Sequence, residues 1–384
     1  MQFRFVDSLS MIDAGSWDTL LTDNYPFLSY TFLSALEESG SVSEEAGWSP
    51  SHLIGEQGGN LCFAMPLYVK NHSYGEYVFD WQWAQAYEQR GLRYFPKLLS
   101  AIPFTPVSGP RFLSSASFDQ GLVNQIVEVL GKKCVADQYS SWHMLFPEDS
   151  LKQMLDTDAQ MHKRNDVQFH WQNQNYTNFD DFLSGFRSSK RKQIRRERRK
   201  VSEQGIRLVR KSGDDLEIED WRNFYSCYKA TYYKRSGHSG YLNWAFFELI
   251  AERMANQVML VFAVEDKDGL EETIASSLFF YDSENLYGRY WGTMEERDCL
   301  HFEACYYQGI DFAIENGLSS FNPGTQGEHK LVRGFEPVET CSFHWIAHPQ
   351  FSEAIGQYLS RETSGIARYK EAAANYLPFR KDTD

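Results

Sequence analysis

Apolar residues along the chain alternate between a helical rhythm and a strand rhythm. Phe27, Leu28, Phe32 and Leu36 recur at near-helical spacing over residues 26–39, and Gly40 can end that helix. Residues 52–70 read as two strand runs separated by the turn signal Gly58-Gly59-Asn60. A strand over 75–83, an amphipathic helix over 93–102 and a Pro/Gly-rich loop over 103–111 follow. Helix 119–139, strand 141–146 and a further helix over 147–164 complete the first half. The second half opens with a hairpin, 258–265 and 273–281, across a turn at 266–270. Strand 286–292 is next, then a helix over 302–315 stopped by Asn316-Gly317. A short strand, 319–321, runs into the loop 322–330.

The two halves share this grammar. Ala64 matches Ala275 at an offset of 211, Tyr94 matches Tyr306 at 212, and Pro106 matches Pro323 at 217. Strands alternating with helices in both halves imply an α/β (α+β) chain of two copies of one unit, each a mixed sheet flanked by helices. The expected division is an N-terminal domain at 1–165, a basic connecting helix at 179–204, and a C-terminal domain with a helical tail at 205–384. Length and composition agree, since 384 residues with 42% hydrophobic and 16% aromatic content supply a large core. Global disorder, collagen-like sequence and disulfide scaffolds are excluded. No window approaches ~18 uncharged apolar residues, so no transmembrane segment is expected. The start carries Asp7 and no apolar run, which predicts no signal peptide. Six cysteines without a CxxC pair predict reduced thiols and a cytoplasmic protein.

Charge changes the picture more than composition does. The net charge is −14, yet residues 187–211 hold 12 Lys or Arg against two acids, leaving 26 bases against 50 acids elsewhere. On a helical wheel Phe182, Leu183, Phe186, Ile194 and Val201 share one stripe, which Lys190 and Glu197 interrupt. Lys190, Arg191, Lys192, Arg195, Arg196, Arg198 and Arg199 are the candidate polyanion contacts. Two readings stay open: a solvated connector neutralised by the acidic bodies, or a contact for tRNA phosphates, a nucleotide cofactor or an anionic lipid surface.

The common catalytic signatures are absent: no GxGxxG, no GxxxxGK[ST], no HExxH. The string SGHSG at 236–240 lacks the second glycine of a nucleophile elbow. Cys299, His301, Glu303 and Cys305 do not have a common zinc spacing, and no metal is expected. His301 and Glu303 at a helix start can instead orient a substrate or move a proton, or serve as a cap and a core histidine. The densest polar group runs from Gly324 through Gln326, Gly327, Glu328, His329 and Lys330 to Arg333 and Phe335. Gly324 and Gly327 allow close backbone approach, Glu328 and His329 can act as base and acid, and Lys330 and Arg333 supply positive charge for a phosphate or carboxylate. In the first half His72, Glu76 and Asp80, beside the loop ending in Arg111, would line a substrate groove or form the polar ends of an aromatic core strand.

The strings HSYGEYVFDWQWAQAY, IPFTPVSGPR, KRKQIRRERR, LHFEACYYQGIDFAIENGL and NPGTQGEHKLVRGFEP together resemble the bacterial peptidoglycan biosynthesis/recognition proteins of the GNAT superfamily, which are compared with Fem-type aminoacyltransferases. The resemblance spans roughly residues 26 to 379 and implies tandem GNAT-like, Fem-like domains. Fem-type enzymes transfer an amino acid from charged tRNA to an amine of a cell-wall precursor peptide, and GNAT enzymes transfer an acyl group from acyl-CoA. Both would need a polyphosphate-bearing donor, a deprotonated amine and a stabilised oxyanion. The turn equivalent to the GNAT pyrophosphate loop carries Glu295, Glu296 and Asp298 and lacks the Q/R-x-x-G-x-G/A pattern, which disfavours ordinary acetyl-CoA there. The Lys-x-x-Phe likeness favours Lys330, Arg333 and Phe335 as site residues. Three functions follow: an acyl or aminoacyl transferase using acyl-CoA or aminoacyl-tRNA on a small amine or peptide, a non-catalytic recognition module for a cell-wall fragment or acidic partner, and an acyl-CoA-dependent N-acetyltransferase.

Overall fold

A computed structural model describes residues 1–21, 23–325 and 327–380, so Gln326 of the polar loop and the last four residues lie outside the described residues. The chain forms two units, one of Met1–Val167 with Glu339–Tyr369 and one of Gln168–Val338 with Lys370–Asp384. Among the described residues no helix is long and apolar enough to cross a membrane.

In the first unit, Gln2–Val6, His52–Gln57, Asn60–Met65 and Leu113–Ser114 form an antiparallel sheet. A second sheet runs from Glu336–Ile346 through Ser141–Leu145, Lys97–Ser100 and Tyr68–Lys70 to Trp48–Pro50, with Ser141–Leu145 and Lys97–Ser100 parallel. The helix Gln120–Ala136 starts where the Asp119 side chain accepts from the Leu122 N–H. It buries Val123, Ile126, Val127 and Leu130 against Leu53, Phe63, Leu98 and Trp142.

The second unit is built on the antiparallel succession Ile206–Ser212, Val258–Lys267, Leu270–Tyr281 and Asn285–Thr293. Ser320–Asn322 then joins parallel to Asn285–Thr293 and antiparallel to the end of His162–Gln172. Helix Ile218–Ser236 lies so close to this sheet that a Cβ at Gly292 would sit 2.1 Å from the Cys227 backbone. The basic helix Ser188–Glu203 belongs to this unit, preceded by the shorter helix Phe179–Ser184. The single apolar stripe of the sequence is thus carried by two helices and the link between them. Phe182, Leu183, Phe186, Ile194 and Val201 are nonetheless all buried.

Three expected elements differ. Residues 93–102 form strand Lys97–Ser100, not a helix, because Leu98 and Leu99 are buried on both faces and show no strand alternation. Residues 75–83 form a loop leading into helix Trp81–Gln89. Helix 147–164 shortens to Asp149–Leu155 before strand His162–Gln172 begins. Of the repeat markers, Ala64 and Ala275 both lie in hairpin strands, whereas Tyr94 precedes a strand and Tyr306 lies in a helix.

Candidate active site

The polar loop and the helix before it meet in the second unit. Strands Leu270–Tyr281 and Asn285–Thr293 lose register between Leu278 and Phe279, where pairing jumps from Tyr290 to Gly288. Such bulges re-aim side chains beside functional sites. The parallel pairing with Ser320–Asn322 reaches Tyr287 and Asn322 and goes no further, as the chain turns at Pro323-Gly324. A pocket opens there, lined by Ser277, Leu278, Phe279, Arg289 and Tyr290 from the strands, by Pro323 of the turn, and by His301, Cys305 and Tyr306 from the helix. The helix itself is interrupted: Leu300–Phe302 is α, Glu303–Tyr307 is a π turn and Gln308–Glu315 is α again. The π turn carries Cys305 and Tyr306 to the pocket wall.

Lys330 adjoins this wall. It is 2% exposed, and its Nζ donates to the Gly324 carbonyl at 2.7 Å and the Thr325 carbonyl at 3.2 Å. Burial without a carboxylate pulls its pKa down to about 7, with nearby Cys305 opposing the shift and Arg289 adding to it. His329 Nε2 lies 2.8 Å from the Tyr306 hydroxyl, and its ring stands 6.2 Å from that of His301. Burial, then His329, Arg235, Lys330 and Arg333, bring His301 down to about 4, and His329 is lowered by burial, Arg333 and Lys330. Two neutral imidazoles and a lysine that titrates near neutrality therefore surround Tyr306. Burial holds the Cys305 thiol far above its usual range, so it is no nucleophile. Gly327 must be glycine, with φ at +102° and a would-be Cβ 2.5 Å from the His329 ring.

Other expected site residues hold the frame. Glu303 binds Arg198 at 3.0 and 3.2 Å and accepts from Gln308 at 2.7 Å. Arg333 makes a buried double contact with Glu197 at 2.9 and 3.0 Å, donates to the Tyr307 hydroxyl, and lies 3.5 Å over the Phe302 ring. Phe335 is fully buried against Tyr306 and Phe321. Gly324 donates its N–H to Asn322, while Glu328 is exposed. Sequence reasoning missed Tyr306 as a site residue, along with Glu197 and Tyr307. An acid on an apolar stripe was the available signal for Glu197.

The basic helix divides its cations. Arg198 is turned to Glu303 and Asp311, Arg195 to Asp180, Lys200 to Asp298 and Arg199 to Glu203. Among the described residues Lys190, Arg191, Lys192 and Arg196 have no carboxylate partner. Lys192, Arg195, Arg196 and Arg199 share one surface groove. The acids of the 292–300 turn are likewise matched, Glu295 by Lys267 and Arg297, and Glu296 by Lys234.

In the first unit, Glu76 and Asp80 lie fully buried around Lys97, at 2.7 and 2.5 Å from its Nζ. Burial pushes Glu76 up to about 7 against the pull of Lys97. Lys70 sits 3.7 Å over the Trp48 ring, and burial lowers it to about 7. His72 contacts the Ala46 carbonyl and Lys70. Arg111 spends its guanidinium on the carbonyls of Leu145, Gly109, Pro110 and Val107. Among the described residues no cluster of His, Cys, Asp and Glu could hold a metal ion.

The two α+β units make up a Fem-like fold. The chain belongs to the FemAB-like family, described as peptidoglycan biosynthesis/recognition, whose model matches residues 8–381. The structure is similar to that of FemX, with 12% identity, a TM-score of 0.53, and coverage of 93% of this chain and 100% of that one. It is also similar to a conserved protein of unknown function from Bacteroides thetaiotaomicron, with 9% identity, a TM-score of 0.52, and coverage of 90% and 100%. A tandem GNAT protein from the clavulanic acid biosynthesis pathway is matched at 8% identity and a TM-score of 0.46, covering 91% and 99%. Comparison with curated protein sequences returned no match.

Proposed function

We propose that the chain transfers an acyl or aminoacyl group to the amine of a cell-wall precursor peptide. The observation that carries this reading is Lys330, a buried lysine that donates to the Gly324 and Thr325 carbonyls and titrates near pH 7 beside the Tyr306 pocket. An acceptor ammonium must lose a proton before it attacks a carbonyl, and a group with a pKa near the working pH does this best. Lys330 and His329 handle that proton, and the Tyr306 hydroxyl, hydrogen-bonded to His329, faces the oxyanion that develops. Glu303 and Arg333, both spent on ion pairs, position the π turn and the loop rather than react.

The donor is aminoacyl-tRNA. The unmatched cations of the basic helix suit a phosphate backbone, while the 292–300 turn lacks the Q/R-x-x-G-x-G/A pattern of a pyrophosphate cradle. With charged tRNA as donor, the reaction belongs in the cytoplasm. The test is to incubate the protein with a radiolabelled aminoacyl-tRNA pool and a nucleotide-linked muropeptide, reading the adduct by mass spectrometry. The expected result is an adduct with wild type and a loss of about 100-fold or more in Lys330→Met, the range of a lost acid–base group. Wild-type turnover by that variant would remove Lys330 from the chemistry. Transfer from acyl-CoA alone would overturn the donor assignment.

A further inference from the structure

The first unit holds a second cavity that the proposed reaction does not use. Its walls include Arg164 and Asp166 of strand His162–Gln172, Thr340 of strand Glu336–Ile346, Glu362 and Ile366 of helix Pro349–Ala374, and Phe146. Thr340 is 3% exposed, and among the described residues its Oγ1 has no hydrogen-bond partner. Buried polar atoms left so are costly, about 1–3 kcal/mol each, and are rare where nothing binds.

The electrostatics of the lining select the ligand. Arg164 is the cation of the lining, and it is already committed. Its Nε and Nη2 donate to Glu362 at 2.9 Å each, and Nη1 donates to the Phe79 carbonyl at 2.7 Å. Glu362 neutralises it, so the Asp166 carboxylate at the exposed rim leaves the cavity negative. An anion would find no free cation there. A primary ammonium has three donors and no acceptor, which suits Thr340 Oγ1 and Asp166. The aliphatic Ile366 and the aromatic Phe146 provide apolar walls for a short carbon stem.

We propose that this cavity is a binding site for a primary alkylammonium group, carried by a small amine or by a lysine-like side chain. The proposal rests on the first unit alone and not on the transfer reaction, because binding is read with no donor present. Calorimetric titration of the full chain near neutral pH with n-butylamine, n-butanol and butyrate tests it. Saturable millimolar or tighter binding of butylammonium is expected, with none for butanol or butyrate. Thr340→Val and Asp166→Asn should each weaken it about tenfold or more. Absence of saturable butylammonium binding, equal binding of butanol, or wild-type affinity in either folded variant would overturn the proposal. Should Asp166→Asn not fold by circular dichroism, the nearly isosteric Thr340→Val decides.

Discussion

Lys330 is buried at a cost that pH can read. Its folded pKa of about 7 lies below the ordinary 10.5, so between those values the unfolded chain binds the extra proton. Stability therefore rises with pH from about 7 to 10.5, by up to about 1.4 kcal/mol per pH unit from this group. Lys330→Met should lose that part of the slope, measured by urea unfolding between neutral pH and pH ~9. Lys70 carries the same shift and keeps its own contribution in the variant. Lys97 behaves oppositely, because Glu76 and Asp80 both lean on it and, despite its burial, hold its pKa above the usual value. Lys97→Met leaves buried Asp80 without its cation and Glu76 with Lys70 alone at 4.0 Å, and should cost about 3–5 kcal/mol in urea unfolding. A loss below about 1 kcal/mol would show that the cluster relaxes by taking up protons instead.

At the scale of elements, the basic helix reaches the site through the Arg198–Glu303 pair and through a more deeply buried one, Glu197–Arg333. Glu197 lies on the apolar side of Ser188–Glu203 and meets Arg333 at the end of the Glu328–Arg333 turn, while Tyr307 donates to the same carboxylate. Glu197→Gln and Arg333→Met should each destabilise by about 3–5 kcal/mol, and the double variant by far less than their sum. Additive losses in a double-mutant cycle would mean that the two side chains act separately. The hairpin Val258–Lys267 and Leu270–Tyr281 was legible because a turn and two strand runs are local signals. The strand Lys97–Ser100 was not, since burial on both faces erases the alternation that marks a strand. The loop from Gly324 to Arg333 could be picked out by its residue types. Which of its cations would be spent on Glu197, and which left to carbonyls, depends on partners more than 100 positions away in the first case and six or fewer in the second.

At the scale of the whole molecule, the chain divides into two units that are not contiguous in sequence. Glu339–Tyr369 returns to the first unit and Lys370–Asp384 to the second, an exchange set by long-range packing that no local pattern reports. The charge asymmetry was legible as a block of 12 bases, and the structure divides that block into ion-paired and unmatched cations. Arg198 supports the fold, whereas Lys190, Arg191, Lys192 and Arg196 have no carboxylate beside them among the described residues. These roles separate in a salt titration. If the outer cations contact tRNA phosphates, log affinity falls linearly with log salt, by about 0.7–0.9 per phosphate neutralised. Replacing the four unmatched cations with Gln should lower that slope by up to about 3 and leave thermal stability near wild type. Arg198→Gln should do the reverse, lowering stability by a few kcal/mol as Glu303 and Asp311 lose their partner, with little change of slope. Filter binding of tRNA across a salt series, paired with thermal unfolding of the same variants, reads both. A slope that the fourfold variant leaves unchanged would return the whole basic block to a structural role, and the donor would then have to be held elsewhere.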